Sequence, residues 1–201
     1  GDMRFIWILV GLTLVACGGE RAVKGAQDSA APANEASTTG QWFVSAANPH
    51  ATEAGAAVLR KGGSAVDAAI AVQSVLGLVE PQSSGLGGGA FLIHYDPQTG
   101  VLETYNGREM APSAATADRF LKPDGAPMKF YDAVVGGLSV GVPGAVKMLE
   151  MAHQDHGELP WAENFSAAIA LSEEGFDVSP RLNMLLSRIP RLKQLPAAAT
   201  Y

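Results

Sequence analysis

An arginine, a serine, a glycine run and a pair of histidines are the residues whose type and setting could do chemistry. Arg108 lies in Gly107-Arg108-Glu109, just past a segment that alternates as a strand. A guanidinium in such a turn presents a planar fork that can bind a carboxylate bidentately. The other reading is a surface or structural ion pair, with Glu109 beside it. Gly85-Leu86-Gly87-Gly88-Gly89-Ala90 fits the dinucleotide pattern G-x-G-x-x-G/A. That chemistry needs a strand, then the glycines, then a helix whose N-terminus faces a pyrophosphate. Here the pattern places a helix before and a strand after, so the dipole end is missing. No Lys-Ser/Thr follows, so a phosphate loop fails as well. The loop reads as a glycine turn permitting φ > 0, or as backbone pressed close to a ligand or another strand.

Gly137-Leu138-Ser139-Val140-Gly141 fits the G-x-S-x-G nucleophile elbow, with Ala133-Val134-Val135 readable as the strand before it. An elbow serine sits on the sharp strand-to-helix turn. Val142-Pro143 instead separates Ser139 from the next helix. His153 and His156 lie on that helix, too near in sequence to close a triad in the usual topology. A structural turn is the reading, and a serine esterase built on Ser139 the minor alternative. His153 and His156 stand at i, i+3 and could share a metal, but a solvated helix face is expected. His50 and His94 have no partner in sequence, and no Cys/His set has zinc spacing.

The elements that would position these residues can be read from pattern. Residues 42–46 read as a short strand, broken by Asn48-Pro49. Residues 52–61 have helical spacing, with Gly62-Gly63 as the stop. Ser64 can cap the next helix with Asp67 at N3, a capping box. That helix, 65–79, is apolar nearly all round and must be buried on several sides. Pro81 ends it. Residues 90–95 and 101–105 pair as a hairpin across a turn at 96–100. Pro143 is predicted at N1 of a helix running to about 156, closed by Gly157. Pro160-Trp161 leads into a helix over 162–174, stopped by Gly175. The last twenty residues look helical, broken at Pro190 and Pro196. This is a mixed α and β chain with large buried helices.

Composition bounds the class. The 201 residues are 47% hydrophobic and 17% charged, which is globular rather than disordered. Lys+Arg 14 against Asp+Glu 20 gives a net charge of −6, with no basic run, so nucleic acid is excluded as a partner. Residues 5–16 are apolar, FIWILVGLTLVA, after Met3-Arg4. Twelve helical residues span ~18 Å, short of a ~30 Å hydrocarbon core, so they read as a signal h-region. They end in Leu14-Val15-Ala16-Cys17, which resembles the lipobox of bacterial lipoproteins and holds the chain's single cysteine. The resemblance implies acylation of Cys17, with more than one chain for stable anchoring. Gly18, rather than Asp, then implies an exported, periplasmic protein anchored to the outer membrane. Residues 1–17 are thus a lipoprotein signal peptide. Residues 18–40 are small and polar and read as a flexible tether. Residues 41–201 are the folded part.

Six blocks carry a second resemblance. They are Asn48-Pro49-His50-Ala51-Thr52-Glu53-Ala54-Gly55, Leu59-Arg60-Lys61-Gly62-Gly63-Ser64-Ala65-Val66-Asp67-Ala68-Ala69 and Val79-Glu80-Pro81-Gln82-Ser83-Ser84-Gly85-Leu86-Gly87-Gly88-Gly89. Gly107-Arg108-Glu109-Met110-Ala111-Pro112, Ser139-Val140-Gly141-Val142-Pro143-Gly144 and Gly175-Phe176-Asp177-Val178-Ser179-Pro180-Arg181 follow in order. Over about residues 42–185 the chain resembles the γ-glutamyltranspeptidase family, in the N-terminal part of its large subunit.

The resemblance implies an α+β fold, the αββα sandwich of N-terminal-nucleophile hydrolases, with only the N-terminal portion present. It implies a precursor that cuts itself, so that a threonine opens the small subunit. That threonine's α-amino group can act as its own base. Its hydroxyl attacks the γ-amide of glutathione or another γ-glutamyl compound, and water or an acceptor amine takes the glutamyl group. Backbone donors hold the oxyanion. No cofactor or metal is implied. Arg108 matches the arginine that holds the substrate's α-carboxylate. The Thr-Thr-His block of the small subunit is absent, and Ala197-Ala198-Ala199-Thr200-Tyr201 does not match it. The chain therefore reads as a truncated piece with no catalytic nucleophile, inactive alone and partnered by the small subunit of the same precursor. Gln82 stands where relatives often have His. Both sheets of that sandwich draw strands from both subunits, so these residues alone should expose sheet edges. The alternatives are a cephalosporin-acylase-like or capsule-depolymerase-like amidase of the same fold, or a non-catalytic scaffold or binding lipoprotein.

Overall fold

The computed structural model describes residues 42–199. The lipobox with Cys17, the tether and Thr200 lie outside the described residues. Asn48 opens the first helix, α1 (Pro49–Arg60), and its side chain accepts the His50 N–H at 3.0 Å. Proline at N1 lacks only a donor that would have been unpaired there. Gly62, with φ +87°, turns the chain after the helix.

The next helix, α2 (Ala65–Val79), starts on the predicted capping box. The Ser64 hydroxyl accepts from Asp67 N, and the Asp67 carboxylate accepts from Ser64 N at 2.9 Å. The apolar character of α2 on every side has a structural reason, because it sits between two clusters. On one side Ala68, Ala71, Val75 and Val79 pack on Ala51, Ala54 and Val58 of α1. On the other, Val66 and Ile70 meet Tyr105, Met148, Leu149 and Ala152. Each large aliphatic side chain so buried contributes about 1.5–3 kcal/mol.

Strands β1 (Phe91–Asp96) and β2 (Val101–Asn106) pair antiparallel, with Leu92 opposite Tyr105 and His94 opposite Glu103. The Asp96 carboxylate ties the turn by accepting from Gln98 N and Thr99 Oγ1. Alternation gives the hairpin two faces. Leu92, His94, Glu103 and Tyr105 turn inward, while Phe91, Ile93, Tyr95 and Leu102 are exposed. Helix α4 (Ala145–His156) covers the inner face, and the Tyr105 hydroxyl donates to Asp155 Oδ2 at 2.9 Å. Burial and that carboxylate push the phenol up to about 12, so it stays a donor at neutral pH.

The remaining elements are α3 (Phe130–Val134), α5 (Ser166–Glu174), α6 (Pro180–Ser187) and α7 (Pro196–Ala199), with short 3-10 turns at Gly137–Ser139, Trp161–Phe165 and Pro190–Gln194. Four expectations need correction. Residues 42–46 form no strand, because no described segment pairs with them. Residues 133–135 are not a strand either. Lys129 O accepts from Asp132 and Ala133, closing the short helical turn of α3. Pro143 is not at N1 of α4. Val142 is held in a bridge to Met110, and Gly144 becomes the N-cap. The helix predicted over 162–174 begins as a 3-10 turn and becomes α-helical only at Ser166.

Candidate functional site

Arg108 is positioned by three glycine-bearing segments that cross at the end of the hairpin. The ladder continues one pair beyond the strands, with Gly107 N donating to Ala90 O at 2.9 Å and Ala90 N to Gly107 O at 3.3 Å. Gly88 O then accepts from both Gly144 N and Ala145 N at 3.1 Å. The glycine loop thus presents a carbonyl to the start of α4, where a dinucleotide site would present donors to a phosphate. Helix α2 precedes the loop and β1 follows it, so the dinucleotide reading fails on geometry.

Space, not φ, is what Gly89 supplies, while a Cβ on Gly85 or Gly87 would meet nothing within 4 Å. The loop does turn, with Gly88 N donating to Gly85 O at 3.3 Å, but none of Gly85, Gly87, Gly88 and Gly89 has positive φ, which corrects that part of the turn reading. A Cβ on Gly89 would overlap the Glu109 carboxylate. One on Gly144 would stand 2.5 Å from Gly107 O, and one on Gly107 would stand 2.7 Å from Met148 Cβ. The loop is backbone pressed against its neighbours, as the second sequence reading has it. Gly88, Gly89 and Gly141 form a cradle around Glu109.

From that cradle the Arg108 side chain projects into solvent, 71% exposed. Its backbone N–H is fixed by Asn106 Oδ1 at 2.9 Å. Nη1 lies 3.4 Å from Glu109 Oε2, so the ion-pair reading is also present. An exposed pair of this kind is worth about 0–1 kcal/mol. It leaves most of the guanidinium's five donors for a ligand. The arrangement suits capture of a carboxylate from solution by a fork whose base is rigid.

The other candidates are otherwise engaged. Ser139 Oγ, at the end of the 3-10 turn, donates to Val134 O at the end of α3 at 2.6 Å, so its hydroxyl closes a loop. His153 and His156 do not share a solvated face. His153 Nε2 is 2.9 Å from Leu159 O and 3.3 Å from Asp67 Oδ1. His156 Nε2 is 2.7 Å from Glu103 Oε2, and its ring stacks on His94 at 3.8 Å.

Two buried carboxylates hold the scaffold. Asp67, fully buried, accepts from Ser64 N, Glu158 N, Leu159 N and Asn164 Nδ2. Glu80 accepts from Asn48 Nδ2, Ser179 Oγ, Arg181 Nη1 and Gln82 Nε2. Burial opposes ionisation of both. For Asp67 the donors of Glu158, Ser64, Asn164 and Leu159 outweigh it, and for Glu80 those of Asn48, Gln82, Arg181 and Ser179 do. Both pKa values are therefore lowered. Sequence reading found Asp67 only as a cap and missed Glu80. A Glu directly before the Pro that ends a buried helix was the available signal.

The six sequence blocks thus fold into three knots, at Glu80, at Asp67 and at Arg108. The family model described as Gamma-glutamyltranspeptidase matches residues 51–201. The chain belongs to the γ-glutamyltranspeptidase family. It is 42% identical over 145 residues to the glutathione hydrolase proenzyme of Bacillus subtilis (strain 168), covering 72% of this chain and 25% of that protein. The chain spans about a quarter of the length of the curated relatives it matches. Among solved structures it is similar to the γ-glutamyltranspeptidase of Helicobacter pylori, with TM-score 0.76 and 30% identity over 81% of this chain and 46% of that one. It is also similar to the cephalosporin acylase of Bacillus halodurans, with TM-score 0.61 and 32% identity over 73% of this chain and 27% of that one. The fold of this transpeptidase-family chain is accordingly the α+β fold of N-terminal-nucleophile hydrolases, of which the described residues supply a part.

Proposed function

We propose that the full-length protein hydrolyses and transfers γ-glutamyl groups from glutathione and related amides, and that Arg108 holds the substrate's α-carboxylate. The observation that carries this reading is the exposed Arg108 fork on a rigid three-glycine crossing, in a chain of this family. A charge-assisted contact of that kind contributes about 1.5–3 kcal/mol.

The chemistry then needs a nucleophile from the part of the protein beyond these residues. In this reading a self-processed N-terminal threonine supplies it. Its hydroxyl adds to the γ-carbonyl carbon while its amine takes the proton. The C–N bond breaks, the leaving amine is protonated, and a γ-glutamyl ester remains. Water or an acceptor amine releases the glutamyl group. The 201 residues alone supply binding and scaffold and are expected to be inactive. The same reading acylates Cys17 and anchors the exported protein to the outer membrane. Its support is the apolar run ending in Leu14-Val15-Ala16-Cys17.

The test is to express the full-length protein and follow self-cleavage by mass spectrometry and amine release from a γ-glutamyl anilide. Cleavage before a threonine with turnover supports the reading. Equal turnover of an acyl anilide lacking the α-carboxylate would favour a cephalosporin-acylase-like amidase instead. An uncleaved, inactive full-length protein would favour a scaffold.

A further inference from the structure

His94 and Glu103 face each other across the hairpin, and the fold brings the distant His156 to their ligating atoms. Antiparallel register sets His94 directly opposite Glu103. Both lie on the inward face of the hairpin, under the last turn of α4, where His156 is the final residue. The His94 and His156 rings stack with centroids 3.8 Å apart and planes 21° from parallel. Glu103 Oε2 lies 2.7 Å from His156 Nε2 and 3.7 Å from His94 Nδ1. One ligand atom from each residue falls within 4.8 Å of the other two.

The polar atoms here stand at ion-pair distance without hydrogen bonds. His94 Nδ1 and His156 Nε2 are both buried, and neither makes a hydrogen bond. At 2.7 Å the His156 nitrogen meets the carboxylate at ion-pair distance but outside hydrogen-bond geometry. Burying such atoms without a hydrogen bond costs about 1–3 kcal/mol each. Two imidazole nitrogens and one carboxylate oxygen at this mutual distance form a donor set suited to a borderline divalent cation, once the stacked rings swing apart enough for both in-plane lone pairs to face one ion. Side-chain exposures of 20%, 42% and 23% leave a route in from solvent. Three protein ligands leave a fourth position for water.

We propose that His94, Glu103 and His156 bind a divalent transition-metal cation of the Zn2+ type, which clips the end of α4 to the hairpin. The site adds to the Tyr105–Asp155 hydrogen bond, which joins the same two elements next to it. Neither ring is needed for the proposed glutamyl chemistry, so the clip stands or falls independently of that reading.

The test uses the untagged full-length protein, stripped with chelator and titrated with Zn2+ alone by calorimetry, and with Co2+ by visible absorption. The expected result is one tight equivalent, a higher melting temperature with Zn2+, and its reversal by chelator. His156→Ala and Glu103→Gln should each weaken binding by more than the roughly 10–100-fold that loss of an outer-shell partner costs. Glu103→Gln keeps side-chain volume and both rings, so it decides the matter where an alanine variant fails to fold. Absence of uptake by the wild-type protein overturns the proposal and leaves a histidine–carboxylate contact. Undiminished uptake by Glu103→Gln, or by the double variant His94→Ala/His156→Ala, overturns it as well.

Discussion

At the scale of single residues, the buried carboxylates tie together segments far apart in the chain. Asp67 receives four donors from three separate segments. Asp67→Ala should therefore destabilise the full-length protein by about 3–5 kcal/mol, the cost of leaving buried polar partners unmatched. Chemical denaturation measures this directly, and a loss under 1 kcal/mol would refute it. The same groups set the acid limit. Asp67 and Glu80 are held below their ordinary values of 3.8 and 4.5. A depressed folded pKa gives stability that is complete above the unfolded value and lost as pH falls through the folded one. The denaturation midpoint should thus drop below about pH 4 in the wild-type protein. Glu80→Gln, which cannot titrate, should flatten part of that drop at the expense of stability near neutral pH.

At the scale of elements, the glycines separate into positions that need space and positions that do not. Gly144→Ala would push a Cβ to 2.5 Å from the backbone oxygen of Gly107. Neither backbone can yield without moving the turn that carries Arg108, so about 1–3 kcal/mol of strain is expected, with a raised KM for γ-glutamyl substrates. Gly87→Ala meets nothing within 4 Å and needs no positive φ. It should fall within about ±0.5 kcal/mol with an unchanged KM. Equal behaviour of the two variants would contradict the crossing. Helix α2 was legible in the sequence to its ends, because its capping box and its all-round apolar character are local signals. The hairpin was legible from its alternation and its turn. The start of α4 was not, because the carbonyl that caps it comes from Gly88, 56 residues earlier. The reason Gly89 is glycine was hidden likewise, since Glu109 fills the space only after the hairpin closes. The pairing of His94 with His156 depends on how α4 lies over the strands, which no spacing encodes.

At the scale of the whole molecule, one face of the hairpin stands uncovered. Phe91, Ile93 and Tyr95 are 68%, 69% and 57% exposed, with Leu102 at 60% beside Tyr95. A two-stranded hairpin with a bare apolar face is an invitation to association. Residues 41–201 produced alone should bind a hydrophobic dye and self-associate, while the full-length protein should do neither. A monomeric segment that leaves the dye dark would contradict the expectation that this bare face drives association of the isolated residues. The proposed contact between Arg108 and a substrate carboxylate is tested by a double-mutant cycle. In the full-length protein, kcat/KM is measured for wild-type and Arg108→Ala, each with a γ-glutamyl anilide and with its analogue lacking the α-carboxylate. Arg108→Ala should lower kcat/KM by roughly 10–100-fold on the complete substrate and hardly at all on the analogue. Equal losses on both substrates, or none on either, would contradict it.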